Sequence, residues 1–258
     1  MSVAYAPKGL VGVLTPQANT TVEPEMAILT PPGHAFINGR LTSDKATIPD
    51  RLRDYFDRYA EAAAQFANAP VLAIGFACTG ASYLAGVARE DETLADLSRD
   101  LGVPIFTAAS AVVDALDALD ATRIALLSPY DAALDDASAG YWTARGRKVV
   151  ARTSTFESTD AFHPIYAMAG DRAESSLGAV SDAGAEAIIM LGTGMPTLQS
   201  ISRFPRVGDA VLLSCMSCFA WRLYCASRGE AATRESLLTF HDDPTWRQRL
   251  ASWISAAP

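Results

Sequence analysis

Cys78, Thr79 and Gly80 stand where an apolar run, 71–76, gives way to an Ala/Ser-rich stretch, "ASYLAG". A thiol at that junction meets the first N–H groups of a following helix and the positive end of its dipole. Both stabilise a thiolate, so the pattern predicts a Cys78 of lowered pKa, usable as nucleophile or proton donor. Gly80 lets a ligand approach the backbone, while the amides and hydroxyls of Thr79, Ala81 and Ser82 suit a carboxylate or, more strongly, an enediolate. The competing account is a small core residue that happens to follow a strand.

A second segment, Gly192-Thr193-Gly194, ends the apolar run 188–191. It is neither a dinucleotide fingerprint, since Thr197 stands where the third glycine belongs, nor a Walker loop, since no lysine follows. After the first apolar run, 10–14, come Pro16, Gln17, Asn19, Thr20 and Thr21. These are uncharged donors that suit a carboxylate without an arginine. Thr20 or Thr21 also fits a helix N-cap with Glu23 in the first turn. One thiol needs a general acid opposite it, and Tyr130, Thr193 and His163 are the candidates. His163 fits equally a helix start or surface position before Pro164. Cys215-x-x-Cys218 with Cys225 is half a metal motif, and His34, His163 and His241 make no ligand pattern. Buried packing accounts better for these cysteines, although Ser214 and Cys215 follow a strand and can line the cleft. No metal is expected.

The elements that position these residues follow from the hydrophobic pattern. Apolar runs at 10–14, 71–76, 105–108, 124–127, 149–151, 188–191 and 211–213 predict strands, with helical segments between them. Over 49–67, Leu52, Phe56, Tyr59 and Ala63 share one helical face. "DALDALDAT" from Asp114 fits the solvated face of a helix before a lobe boundary. The alternation predicts parallel α/β architecture. The halves also echo each other: Thr15-Pro16 falls on Ser128-Pro129 at a shift of 113, and Cys78-Thr79-Gly80 on Gly192-Thr193-Gly194 at a shift of 114. "PIFTAAS" from Pro104 echoes "AVLLSCMS" from Ala210. A duplicated α/β unit predicts two pseudo-symmetric lobes, each a short parallel sheet flanked by helices, with strand ends facing a shared cleft that holds the active site. The first lobe spans 1–118 plus 228–258 and the second 119–227.

With 258 residues, half of them hydrophobic, the chain can build a sizeable core. A net charge of −8 without a basic cluster argues against nucleic acid or an anionic membrane as partner. The longest apolar stretch, 210–226, is broken by Ser214, Ser217 and Arg222, so no membrane span is expected. No secretory pattern opens the sequence, and four cysteines fit free thiols in a reducing, cytoplasmic setting.

"VGVLTPQANTTVEPEM" resembles the Pro-x-x-Asn-x-Thr-x-Glu motif of maleate cis-trans isomerases. "ACTGASYLAG" resembles their first cysteine segment and the matching segment of arylmalonate decarboxylase, where glycine replaces the cysteine. "LGTGMPTL" resembles the second cysteine segment of both. The resemblance covers most of the chain and places it with the aspartate/glutamate racemase superfamily, which implies two α/β lobes, no cofactor and a homo-oligomer, dimer or tetramer. Carried over by position, Cys78 matches the first cysteine and Gly192 the second. Asn19 matches a holder of a substrate carboxylate, Tyr130 a substrate-contacting tyrosine, and Thr79 a hydroxyl of the decarboxylase's carboxylate pocket. The expected substrate-binding set is Pro16, Gln17, Asn19, Thr79, Gly80, His163, Gly192, Thr193 and Gly194, with Cys78 and Tyr130 catalytic. One thiol cannot racemise unaided, but it can add to an electron-poor double bond, allow rotation and leave. Isomerisation of a small carboxylate or dicarboxylate is therefore expected. The alternatives are a malonate-type decarboxylase with Cys78 as proton donor and a non-catalytic carboxylate-binding protein.

Overall fold

The computed structural model describes residues 3–158 and 163–255. The first part of the chain forms β1 (Gly9–Pro16), α1 (Val22–Leu29), β2 (His34–Leu41), α2 (Ile48–Asp57), α3 (Tyr59–Ala63), β3 (Ile74–Phe76), α4 (Thr79–Ala85), α5 (Val87–Leu101), β4 (Ile105–Thr107) and α6 (Ala108–Ala118). The second part forms β5 (Arg123–Ser128), α7 (Ala132–Ala144), β6 (Lys148–Ser154), α8 (Arg172–Ser176), β7 (Ala187–Met190), α9 (Leu198–Arg203), β8 (Arg206–Val207), β9 (Ala210–Ser214), α10 (Cys215–Ser227), α11 (Arg234–Asp242) and α12 (Pro244–Ser255).

One sheet has the order β2-β1-β3-β4, the other β6-β5-β7-β9-β8, and every pairing but that of the short β8 is parallel. The duplication is therefore structural: β1, β2, β3 and β4 occupy the places of β5, β6, β7 and β9. It extends to the caps. Thr107 and Ser214, each the last residue of the fourth strand, start α6 and α10 with the same reciprocal capping box, to Ser110 and Ser217. Central strands covered on both faces must be apolar throughout, and β1, β3, β7 and β9 are buried at every position.

The structure departs from the expected elements where side chains do not signal them. β2 was not expected. It is an edge strand, half-exposed, and its "INGR" breaks the apolar run. The helix expected over 49–67 is broken at Arg58, yet Leu52, Phe56, Tyr59 and Ala63 all bury on one side. Residues 71–73 lie outside β3, and Leu72 is exposed. Asp114 does not simply face solvent: Arg222 Nε of α10 donates to its carboxylate at 2.5 Å, and Asp117 pairs with Arg147.

α10 follows the second sheet but packs on α6 and on β1, β3 and β4 of the first. Gly75 of β3 makes this possible, since a Cβ there would lie 2.3 Å from Phe219 Cζ of α10. One core cluster runs through both sheets and these helices; a second, under α2 and α3, covers the other face of the first sheet and includes Cys78. Among the described residues no helix is long and apolar enough to cross a membrane.

Candidate active site

Parallel sheets gather their C-terminal strand ends on one edge, and the two edges face each other here. Asn19 lies three residues past β1. Its Oδ1 accepts from the N–H groups of Thr21 (2.8 Å) and Val22 (3.1 Å), so Asn19, not Thr20 or Thr21, caps α1 through its side chain. The hydroxyl of Thr21 is thereby free to donate across the cleft to the Gly194 carbonyl at 2.8 Å. Asn19 Nδ2 donates to Thr193 Oγ1 at 3.3 Å, and that hydroxyl donates to the Ala77 carbonyl at 2.8 Å. Thr20 Oγ1 donates to the Tyr166 carbonyl at 2.8 Å. The loops after β1, β3 and β7 are thus stitched around the residue preceding Cys78.

Cys78 is the N-cap position of α4 and is 4% exposed. The N–H groups of Gly80 and Ala81 point at its sulfur and favour the thiolate, as the sequence predicts. Burial outweighs them and pushes the thiol up to about 11. The expected lowered pKa is therefore corrected: desolvation of a charge inside a closed cleft exceeds what two amides return. A thiol titrating there is neutral at pH 7. Thr79 Oγ1 and Tyr130 OH share a hydrogen bond of 2.8 Å across the lobes. Burial keeps the Tyr130 phenol protonated far above its ordinary range, so it stays a proton-bearing donor.

Gly192 adopts φ +82°, and a Cβ there would lie 2.7 Å from Pro129 Cγ. The backbone here suits glycine, and a side chain could not be placed at this position without displacing Pro129. The N–H of Gly192 is directed at the sulfur of Cys215, whose thiol burial pushes up to about 12. The N–H groups of Thr193 and Gly194 have no acceptor among the described residues and are available to an anion.

A pocket of about 220 Å³ adjoins α4, walled by Gln17, Ile48, Arg51, Leu52, Tyr55, His163 and Tyr166. Its Leu52 would lie 2.9 Å from a Cβ at Gly80, so that glycine lets α2 and α4 pack closely. Tyr55 and Tyr166 are within electrostatic reach of the Cys78 sulfur. His163 lies edge-on to Tyr166, ring centroids 4.5 Å apart, and burial pulls it down to about 4, so it is neutral near pH 7. Gln17 Oε1 accepts from Ser43 N–H at 2.6 Å, which orients the side chain and leaves its amide nitrogen as a donor. Pro16 shapes the turn, its carbonyl accepting from Asn19 N–H at 2.9 Å.

Cys78, Thr79, Asn19, Tyr130 and Gly192–Gly194 are thus brought together, and Gln17 and His163 stand at the adjoining pocket. Tyr55, Tyr166 and the buried Glu25 are neighbours the sequence did not single out, since isolated aromatics and a second glutamate in "VEPE" carry no spacing signal. Cys215, Cys218 and Cys225 are all buried, and no group of potential ligands capable of holding a metal occurs among the described residues.

Residues 11–236 match the profile of a family described as arylmalonate decarboxylase. No curated protein sequence matches. Among solved structures, the chain is similar to the maleate isomerase Iso from Pseudomonas putida, with a TM-score of 0.76 and 21% identity over 88% of this chain and 99% of that one. It is similar to a Nocardia farcinica maleate cis-trans isomerase mutant carrying a covalently bound succinylcysteine intermediate, with a TM-score of 0.74 and 21% identity over 89% of this chain and 98% of that one. An arylmalonate decarboxylase gives a TM-score of 0.71 and 17% identity over 86% of this chain and 94% of that one.

Proposed function

The chain belongs to the arylmalonate decarboxylase family, and we propose that it is a cofactor-independent isomerase of the maleate cis-trans isomerase type, acting on a small carboxylate through Cys78. One observation carries this: Cys78 lies at the stitched loop ends with the Gly80 and Ala81 amides at its sulfur, and Gly192 stands at the mirrored position, where the neighbouring sulfur is that of Cys215 at the start of α10. The substrate carboxylate is held by the Thr193 and Gly194 amides, Asn19 and the Thr79–Tyr130 hydroxyl pair. These donors bind an enediolate more strongly than a carboxylate, which lowers the barrier to forming it. The S–H of Cys78 adds across the double bond, sulfur to one carbon and its proton to the other. The resulting single bond rotates, and proton and sulfur leave again to restore the alkene in the trans geometry. Tyr130 is the donor that steadies the developing charge.

A second reading is favoured by the pocket beside α4, where Ile48, Leu52, Tyr55 and Tyr166 suit an apolar substituent, although Arg51 in the same wall also suits a carboxylate. A malonate bearing such a group would lose CO2, its bonding pair passing into the enediolate, and Cys78 would deliver its thiol proton to the α-carbon. The neutral state of this thiol suits that step. Either reaction fits a homo-oligomer, dimer or tetramer, working in the cytoplasm, and size-exclusion chromatography tests the assembly. A lobe division at 118/119 fits which strands share a sheet, whereas one at 227/228 lies beyond the last strand and would part α10 from the first sheet on which it packs.

Proton NMR of the protein with maleate and with phenylmalonate decides between the readings. Fumarate from maleate is the expected product, lost by at least about 10³-fold in Cys78→Ala. Phenylacetate instead assigns the decarboxylase. Turnover undiminished in Cys78→Ala removes the thiol mechanism, and binding of both acids without turnover leaves a carboxylate-binding protein.

A further inference from the structure

Glu25 takes no part in the chemistry above, yet it is a buried carboxyl at the lobe boundary. It sits in α1 of the first lobe, and its side chain bonds Thr197 and Leu198 of the second. Its Oε1 accepts from Thr197 N–H at 2.6 Å and Leu198 N–H at 3.2 Å, and the Thr197 hydroxyl lies 3.3 and 3.2 Å from its two oxygens. Thr197 and Leu198 end the loop that begins at Gly192. Thr21, one turn earlier in the chain, holds the same loop at the Gly194 carbonyl, and the Gly192 N–H is turned toward Cys215. The loop is therefore gripped at its start, middle and exit. Only the exit grip depends on a charge that can change.

We propose that Glu25 is a positioning residue of the active site: its carboxylate clasps Thr197 and Leu198 and so holds the Thr193 and Gly194 amides where they meet the substrate carboxylate. This rests on the reading that those amides bind the substrate. The grip tightens when Glu25 is ionised, because N–H donors bond a carboxylate more strongly than a neutral acid. Burial raises this carboxyl to about 7, against the pull of the same donors. The groups facing it bear this out. From α10 the neighbour is the Cys215 thiol, neutral in this range. On α12, Arg249 Nε is engaged by the Ile28 carbonyl at 2.6 Å, and on α1 itself Glu23 is paired with Arg40. Among the described residues no cation pairs with Glu25, so its charge answers to pH.

Hydrogen exchange of the 190–198 segment, corrected for the intrinsic rate, tests the clasp without any turnover assay. In the wild-type protein its protection is expected to rise several-fold between pH 6 and pH 8. Glu25→Gln, which keeps a neutral acceptor, is expected to abolish that step and hold the segment at its pH 6 level. Glu25→Ala is expected to raise exchange about tenfold at both pH values, and Glu25→Asp to restore part of the pH step. An unchanged step in Glu25→Gln, or wild-type protection in Glu25→Ala, overturns the proposal. In the NMR assay with maleate or phenylmalonate, Glu25→Gln is expected to raise KM at pH 8 more than it lowers kcat. Equal KM values for Glu25→Gln and wild type also overturn it. If the wild-type protein turns over neither acid, the functional reading fails, while the exchange data still decide whether Glu25 clasps the loop.

Discussion

At the scale of single residues, the decisive balance is at Cys78. Two amides at the start of α4 favour its thiolate, and burial disfavours it more, leaving the thiol at about 11. At pH 7 only about one such thiol in 10⁴ is ionised, against a few per cent for an exposed cysteine. Iodoacetamide should therefore label Cys78 far more slowly than a free thiol at pH 7, with the rate rising about tenfold per pH unit up to pH 10. Fast labelling at neutral pH would show that the thiolate is stabilised beyond what this geometry provides. The mirrored residue, Gly192, shows the opposite specialisation. Its positive φ and the nearness of Pro129 commit it to having no side chain, so the asymmetry between the two loops is built into the backbone.

At the scale of elements, α1 and its cap carry two duties on one side chain. Asn19 Oδ1 satisfies two N–H groups at the start of α1, and its Nδ2 reaches Thr193 in the other lobe. Asn19→Ala should cost about 1–2 kcal/mol in urea unfolding through the lost cap. Asn19→Asp keeps the accepting oxygen and should recover most of that stability. It also replaces a donor with a charge that repels a carboxylate, so substrate affinity should fall at least tenfold. A stable Asn19→Asp protein that binds maleate or phenylmalonate as wild type does would remove Asn19 from the binding set. The paired capping boxes at Thr107 and Ser214 show the same economy, since both repeats launch their last core helix with one chemical device.

At the scale of the whole molecule, the lobes are joined by buried polar contacts as well as by the core. Glu90 of α5, fully buried, accepts from Thr107 at 2.5 Å, from Tyr141 at 2.5 Å and from Arg145 at 2.8 Å, the last two on or just after α7 of the second lobe. Glu90→Ala should leave Arg145 half-partnered and cost about 3 kcal/mol in urea unfolding, as breaking a buried ion pair does. A loss below about 1 kcal/mol would mean that Asp91, which Arg145 also binds, carries the pair alone.

The parallel α/β class, the duplication and the residues at the strand ends were legible in the sequence, because buried central strands must be apolar and the loops that follow them need small polar residues. Cys78, Thr79 and Gly192 stand out in that way, while Asn19 and Tyr130 were singled out by the resemblance to maleate isomerases and arylmalonate decarboxylase. What needed the tertiary structure is everything set by proximity between distant segments. The edge strand β2 carries no strong period because water covers part of it. Glu25 meets its partners only when α1 meets the start of α9, and the pKa of Cys78 is set by how completely the cleft excludes water. Local patterns report which groups a backbone presents; desolvation and pairing across the lobes decide their charge.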